Sequence, residues 1–268
     1  MLHERRPDRD KRIGAIRRRG IYLLPNLMTT AALFAGFYSI VAAIDGNFVS
    51  ACIAHYIAML FDGLDGRLAR LTNTESDFGK EYDSLSDMVA FGLAPAIVVY
   101  QWGLERLSDY GWMWGKLGWL AAFFYAAAAA MRLARFNTYH GKIDKSIFQG
   151  LPSPPAASLI IGMVWLGTDL GWAGAPALVT AFLITTIAGA LMVSRFSYSS
   201  FKEINVGGRI SFTYSFAIPL TFIMIAVNPP LVLFVLAVAY ACSGPIAAVW
   251  RWQRGPSTTS QPGESQEL

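Results

Sequence analysis

Apolar residues run along the chain in eight windows, at roughly 23–44, 48–71, 79–101, 117–136, 154–170, 174–194, 211–227 and 230–250, each close to the ~20 residues a helix needs to cross a bilayer. Short polar breaks separate them. A bilayer offers no water to backbone amides and carbonyls, so such windows predict helices, and the expected fold is an all-α, polytopic membrane bundle of about eight transmembrane helices. The hairpins closed by Asp169 to Gly174 and by Asn228-Pro229-Pro230 are short, which leaves six or seven spans as the alternative count. The pattern divides the chain into a segment 1–21, a transmembrane region 22–252 and a tail 253–268. From Gly255 the tail has no apolar periodicity and is expected to be disordered.

Composition agrees: 54% of the 268 residues are hydrophobic and 15% charged, with a mean hydropathy of +0.40, more apolar than a soluble core of this length requires. Eight of the 22 Lys and Arg fall between Arg5 and Arg19, ahead of an apolar run too long for a signal-peptide core. They read as a cytoplasmic juxtamembrane segment able to hold anionic headgroups. Nothing aromatic or motif-like accompanies them, so no nucleic-acid partner is expected. An N-terminus inside places Arg132, Arg135, Lys142, Lys145, Arg195, Lys202, Arg209, Arg251 and Arg254 on the cytoplasmic side. Only Arg106 and Lys116 are left outside, as the positive-inside rule requires. The expected location is a bacterial-type cytoplasmic membrane, with both termini inside. Cys52 and Cys242 lie in apolar runs and read as small buried packing residues rather than a disulfide. Phe91, Phe123, Phe124, Tyr125 and the tryptophans at 102, 112, 114, 119, 165, 172 and 250 read as lipid-facing or interfacial belts.

One stretch breaks the pattern. Asp62-Gly-Leu-Asp-Gly-Arg-Leu-Ala-Arg70 is followed, eight residues later, by Gly79, Asp83 and Asp87, with apolar sequence on both sides. Each intramembrane carboxylate costs a few kcal/mol on the mildest scale, so four of them need compensation. On a helix Asp62, Asp65, Gly66, Ala69 and Arg70 share one face, and Gly79, Asp83 and Asp87 form a second stripe. A turn through Thr72, Asn73 and Thr74 that makes the two helices antiparallel brings the four acids together at the cytoplasmic end. Two Mg²⁺ or Mn²⁺ ions would neutralise them, because hard cations take oxygen ligands. The plainer alternative is an ion network with Arg67 and Arg70, but two arginines do not balance four acids. Glu75 and Asp77 fall at the turn and Glu81 lies nearly opposite Asp83, so these three read as solvated or paired with Lys80. His55 shares almost the face of Asp62 but lies deeper, and reads as a packing residue.

The pattern Asp62-x-x-Asp65-Gly66-x-x-Ala69-Arg70, eight residues, Gly79-x-x-x-Asp83-x-x-x-Asp87 resembles, without a mismatch, the signature of the CDP-alcohol phosphotransferase family. Leu24-Pro25-Asn26-Leu27, the run Tyr82 to Gly92, Arg132-Leu133-Ala134-Arg135-Phe136-Asn137, Gly150-Leu151-Pro152-Ser153-Pro154 and Ser200-Phe201-Lys202 are similar to one branch of it, the integral-membrane CDP-diacylglycerol serine O-phosphatidyltransferases. The resemblance spans about residues 22 to 250. It implies a six-helix catalytic core and metal-dependent transfer of a phosphatidyl group from CDP-diacylglycerol to L-serine, releasing CMP. It also implies that Asp62, Asp65 and Asp83 are metal ligands and that Asp87 is the general base, here kept as a second-metal ligand as well.

Under that resemblance Gly66 and Gly79 are places where a nucleotide lies against backbone, with tight helix packing as the alternative. Ala69 and Arg70 belong to the same nucleotide site, Arg70 reaching the diphosphate. Asn26 either contacts the cytidine or caps the first helix. Arg132, Arg135, Lys202 and Ser153, the last as a cap that leaves helix amides free, are the candidates for the serine carboxylate, with topology-setting charge as the alternative for the cations. Glycerol 3-phosphate and inositol or inositol phosphate are the other acceptors to weigh, and a cation-coupled transporter is the rival from another class. Membrane lipids and a second copy in a homodimer complete the expected partners.

Overall fold

The computed structural model describes residues 8–72, 74, 76–139, 147–199 and 212–253. Its helices are α1 (Asp8–Ile44), α2 (Phe48–Thr72), α3 (Asp77–Asp87), α4 (Ala94–Trp102), α5 (Trp112–Tyr139), α6 (Ser153–Asp169), α7 (Gly174–Val193), α8 (Phe212–Val227) and α9 (Pro229–Gln253). A π-helical turn, Met88–Leu93, joins α3 to α4, so the two form the single rod expected over 79–101. Over their described residues all eight apolar windows are therefore essentially helical. Six of the described rods are long and apolar enough to cross a membrane, including α1 from Leu24 and the rod Asp77–Tyr110. The remaining two are α6, with 17 residues, and α8, with 16. The tail from residue 254 lies outside the described residues.

Local chemistry closes the hairpins. After α1 the Gly46 amide donates to Ala43 and the Asn47 amide to Ala42, an arrangement that requires Gly46 to adopt φ +76. The Asn47 side chain then accepts from the Ser50 amide and starts α2. The same device ends α6, where the Gly171 and Trp172 amides return to Thr168 and Gly167. Asn228 caps α9 by accepting from the Leu231 amide at 3.1 Å, with Pro229 and Pro230 in the first turn, where their missing N–H groups cost nothing.

α6 forms the centre of the bundle. From Ala156 to Val164 every residue is buried, as expected of a helix that is apolar all round. α9 packs on it closely enough that a Cβ at Gly162 would lie 3.0 Å from the Phe234 Cα. Large apolar side chains such as Phe34, Phe222 and Ile246 are exposed on the rim, which suits a lipid surround. Three of the aromatic residues read as lipid-facing are instead core: Phe91 and Tyr125 are fully buried, and Trp102 is buried with its indole N–H donating to Thr168 at 3.0 Å. Cys52 is buried as expected, whereas Cys242 is exposed.

Among the described residues one paired element is not helical. Ile147–Gln149 (β1) pairs antiparallel with Ser197–Ser199 (β2), in the register Phe148 opposite Tyr198. This ribbon ties the α5–α6 connection to the chain leaving α7. Tyr198 anchors it to α9 by donating to the Ala241 carbonyl at 3.0 Å, and burial pushes this phenol up to about 12, so it remains a donor at neutral pH. At the ribbon's end Gly150 has φ +82, and a Cβ there would collide with the Met192 carbonyl. Gly150→Ala is expected to cost about 2 kcal/mol or more, read as a lower melting temperature in detergent. Gly46→Ala, with open space around it, should cost only the left-handed backbone strain, about 1 kcal/mol. Equal losses at the two sites would rule out the carbonyl collision as a cause.

Candidate active site

The α2–α3 turn is built by hydroxyls. Thr72 donates to the Leu68 carbonyl at 2.7 Å and meets the Thr74 hydroxyl at 2.7 Å, while the Thr74 amide returns to Ala69. Ser76 then caps α3, accepting from the Gly79 amide at 3.0 Å, with Asp77 in the first turn where the helix dipole favours an acid. Two contacts dock α3 on α1: the Tyr82 and Thr30 hydroxyls meet at 2.9 Å, and Ser86 donates to the Thr29 carbonyl at 3.2 Å.

This docking brings the acids together. Carboxylate oxygens of Asp62, Asp83 and Asp87 lie within 4.8 Å of one another. Asp65 stands beside them, 4% exposed, and is held by Thr29, whose hydroxyl lies 2.8 Å from its Oδ2. Asp83 Oδ1 is buried and has no hydrogen-bond partner. No arginine pairs with the cluster among the described residues; the ion pair there is Lys80 with Asp77, at 3.9 Å on the surface. Arg70 reaches Asp65 only electrostatically and Arg67 makes no ion pair with the acids, so the ion-network alternative does not neutralise the cluster. Three carboxylates converging on one point, one of them with an orphaned buried oxygen, form an all-oxygen donor set that fits a hard divalent cation.

The other candidates fall around the cluster. Arg70 lies over Gly66, its Nη1 3.6 Å from where a Cβ would stand. The Ala69 carbonyl is engaged by the turn. Gly79 packs close to Asn26 of α1, a Cβ built on it standing 3.1 Å from Ser76 Oγ and 3.5 Å from Asn26 Oδ1. Asn26 is not a helix cap, because α1 begins at Asp8 and runs through Pro25. Arg132 donates from Nη1 to Ser153 Oγ at 2.8 Å, and its buried Nε has no partner. Its charge is within electrostatic reach of Asp87. Ser153 does not cap α6; the cap position is Pro152, with no side-chain bond to the amides, and the Ser153 hydroxyl serves Arg132 instead. Arg135 is turned to the ribbon, donating to Gln149 O at 3.2 Å and Oε1 at 3.0 Å. Lys202 lies outside the described residues. His55 is fully buried against the rings of Tyr56 and Phe91, as a packing residue should be. Neither Thr29 nor Tyr82 stands out in the sequence as a site residue, although each is a polar residue in an apolar window three positions after Asn26 or Gly79.

Residues 22–193 match the model of a protein family, CDP-alcohol phosphatidyltransferase. The chain belongs to that family. Its relatives include a CDP-diacylglycerol--serine O-phosphatidyltransferase of Helicobacter pylori, 38% identical over 186 residues, covering 69% of this chain and 75% of that one. Proteins of the same name occur in Mycobacterium leprae, 30% identical over 237 residues (85% and 75%), and in Methanocaldococcus jannaschii, 33% over 193 residues (70% and 79%). The family match contains all four aspartates and ends with α7.

Removing one carboxylate should weaken divalent-ion binding directly. Asp62→Asn and Asp83→Asn are each expected to lower Mn²⁺ affinity at least about tenfold, and Thr29→Val, which frees Asp65, by roughly tenfold through lost orientation. Electron paramagnetic resonance of free Mn²⁺ measures this. An unchanged isotherm for any of these variants would remove that residue from the site.

Proposed function

We propose that this chain transfers the phosphatidyl group of CDP-diacylglycerol to the hydroxyl of L-serine, giving phosphatidylserine and CMP. The observation that carries the reading is the convergence of Asp62, Asp83 and Asp87, with Asp65 alongside, at the spacing of the family signature. The printed names of the relatives supply the substrates. Asp62, Asp65, Asp83 and Asp87 would hold two divalent ions, Mg²⁺ or Mn²⁺. When bound, such ions neutralise the diphosphate and stabilise the departing CMP.

The remaining roles belong to the chain's own groups. Asn26, Gly66, Ala69 and Gly79 leave the slot against which the nucleotide lies, and Arg70 hydrogen-bonds the diphosphate. Asp87 accepts the proton of the serine hydroxyl, whose oxygen forms the new bond to the lipid-side phosphorus as the bond to CMP breaks. Arg132, with its free Nε and its hold on Ser153 at the uncapped N-terminus of α6, offers a positive site to the serine carboxylate within reach of Asp87. Arg135 and Lys202 are the further cations of this acceptor site.

The acids gather at one end of the bundle, whereas a transport path would distribute them through the depth of the membrane, so the transferase reading is preferred to the transporter. The positive-inside pattern supports a cytoplasmic location for this end and for both termini. The assembly expected in the membrane is a homodimer, read out by cross-linking.

Purified enzyme, CDP-diacylglycerol and Mn²⁺ or Mg²⁺ should release CMP with serine in preference to glycerol 3-phosphate, inositol or inositol phosphate. Asp87→Asn should lose turnover by at least about 10²-fold with smaller loss of CDP-diacylglycerol affinity. Arg132→Ala and Arg135→Ala should raise the serine KM more than they weaken CDP-diacylglycerol binding. Preference for another alcohol would overturn serine, and an unchanged serine KM in both variants would move the carboxylate site elsewhere.

A further inference from the structure

The rod that carries Asp83 and Asp87 is not α-helical throughout. In the π-helical turn Met88–Leu93 the Ala94 amide donates to the Val89 carbonyl, five residues back, rather than to Ala90. Pro95 supplies the cause. In the α pattern the Phe91 carbonyl looks to residue 95 for its donor, and in the π pattern the Ala90 carbonyl does; proline has no N–H and crowds the carbonyl four residues behind it. An unpaired carbonyl in an apolar interior is costly, so both need partners from elsewhere.

A side chain of another helix provides one for Phe91. The Tyr125 hydroxyl, fully buried on α5, donates to the Phe91 carbonyl at 2.8 Å. His55, fully buried on α2, meets the Phe91 ring edge-on at 5.6 Å and packs the turn without a hydrogen bond from either ring nitrogen. On the α1 side, a Cβ added to Gly36 would stand 2.8 Å from the Ala90 Cα.

The turn has a geometric consequence for the acids. Replacing i→i+4 by i→i+5 bonding accommodates an extra residue, which rotates α3 about the rod axis by about 100° relative to an unbroken α-helix. α4 is not free to take up that rotation, since Ala94, Pro95, Ala96, Val98, Val99 and Trp102 are all buried. The rotation therefore falls on α3, and it sets the direction of Asp83 and Asp87. We propose that Tyr125 is a positioning residue for the acid cluster: by holding the Phe91 carbonyl outside the helical ladder, its hydroxyl maintains the π turn that aims Asp83 and Asp87 at Asp62. This rests on the reading of the cluster as the divalent-ion site.

The test uses the full chain in detergent, with Mn²⁺ alone as the probe, followed by melting temperature and CMP release. Tyr125→Phe removes only the hydroxyl, and should lower Mn²⁺ affinity tenfold or more with a comparable fall in kcat. Thr168→Val deletes the half-buried hydrogen bond from Trp102 at the other end of α4, and should lower the melting temperature without moving the Mn²⁺ isotherm. Pro95→Ala returns a backbone donor to the turn, and should lower Mn²⁺ affinity while the melting temperature holds or rises, a combination that simple loss of stability does not produce. Wild-type Mn²⁺ affinity in Tyr125→Phe overturns the proposal; if that variant does not fold, wild-type affinity in Pro95→Ala overturns it. Wild-type protein that binds no Mn²⁺ overturns the metal reading and this proposal together, whereas binding that neither variant disturbs overturns this proposal alone.

Discussion

Carboxylates gathered within 4.8 Å in an apolar bundle repel one another and are short of solvent, and much of the polar detail in this structure answers that constraint. Thr29 holds Asp65, while Tyr82 and Ser86 fasten the acid-bearing α3 to α1. Asp83 keeps one buried oxygen that the protein leaves unsatisfied. An arrangement in which the chain orients its acids but does not neutralise them is what a cation site requires. A merely structural ion network would instead bring an arginine into a salt bridge with the acids, and none is formed among the described residues.

The rest of the bundle supports that end. α6 is buried almost throughout and starts beside Arg132, so the element that centres the packing also places its N-terminus at the proposed acceptor site. The ribbon β1–β2 holds the connection that leads into α6, and Tyr198 ties the ribbon to α9. The α8–α9 hairpin lies beyond the family match at 22–193, yet α9 packs on α6 through Gly162. It acts as a buttress for a core whose acid cluster comes from α2 and α3.

Much of this was legible in the chain. A bilayer forces apolar windows to be helical, so the eight rods followed from hydropathy and length. Glycine, asparagine and proline at the breaks specified the turns by their backbone preferences. The four aspartates stood out because charge within apolar sequence is expensive, and their helical spacing predicted two converging stripes. What misled was the burial of aromatic residues. Phe91, Tyr125 and Trp102 read as lipid-facing, because the inside of a membrane bundle and the lipid around it are equally apolar and leave the same signature in sequence.

The sequence by itself determined the membrane bundle, the acid spacing and the chemistry of the donor set, since these depend on residue types and on periodicities of single helices. Tertiary structure decided which helix faces meet: Thr29 with Asp65, Arg132 with Ser153 rather than Ser153 with its own helix amides, and Asn26 across from Gly79 rather than at a helix start. It also decided the π turn's role, since Pro95 announces missing donors while only packing brings the Tyr125 hydroxyl to the carbonyl they leave. Such pairings lie tens of residues apart in the chain. Each is set by the rotation of one rod against another, which the pattern along a single rod does not contain.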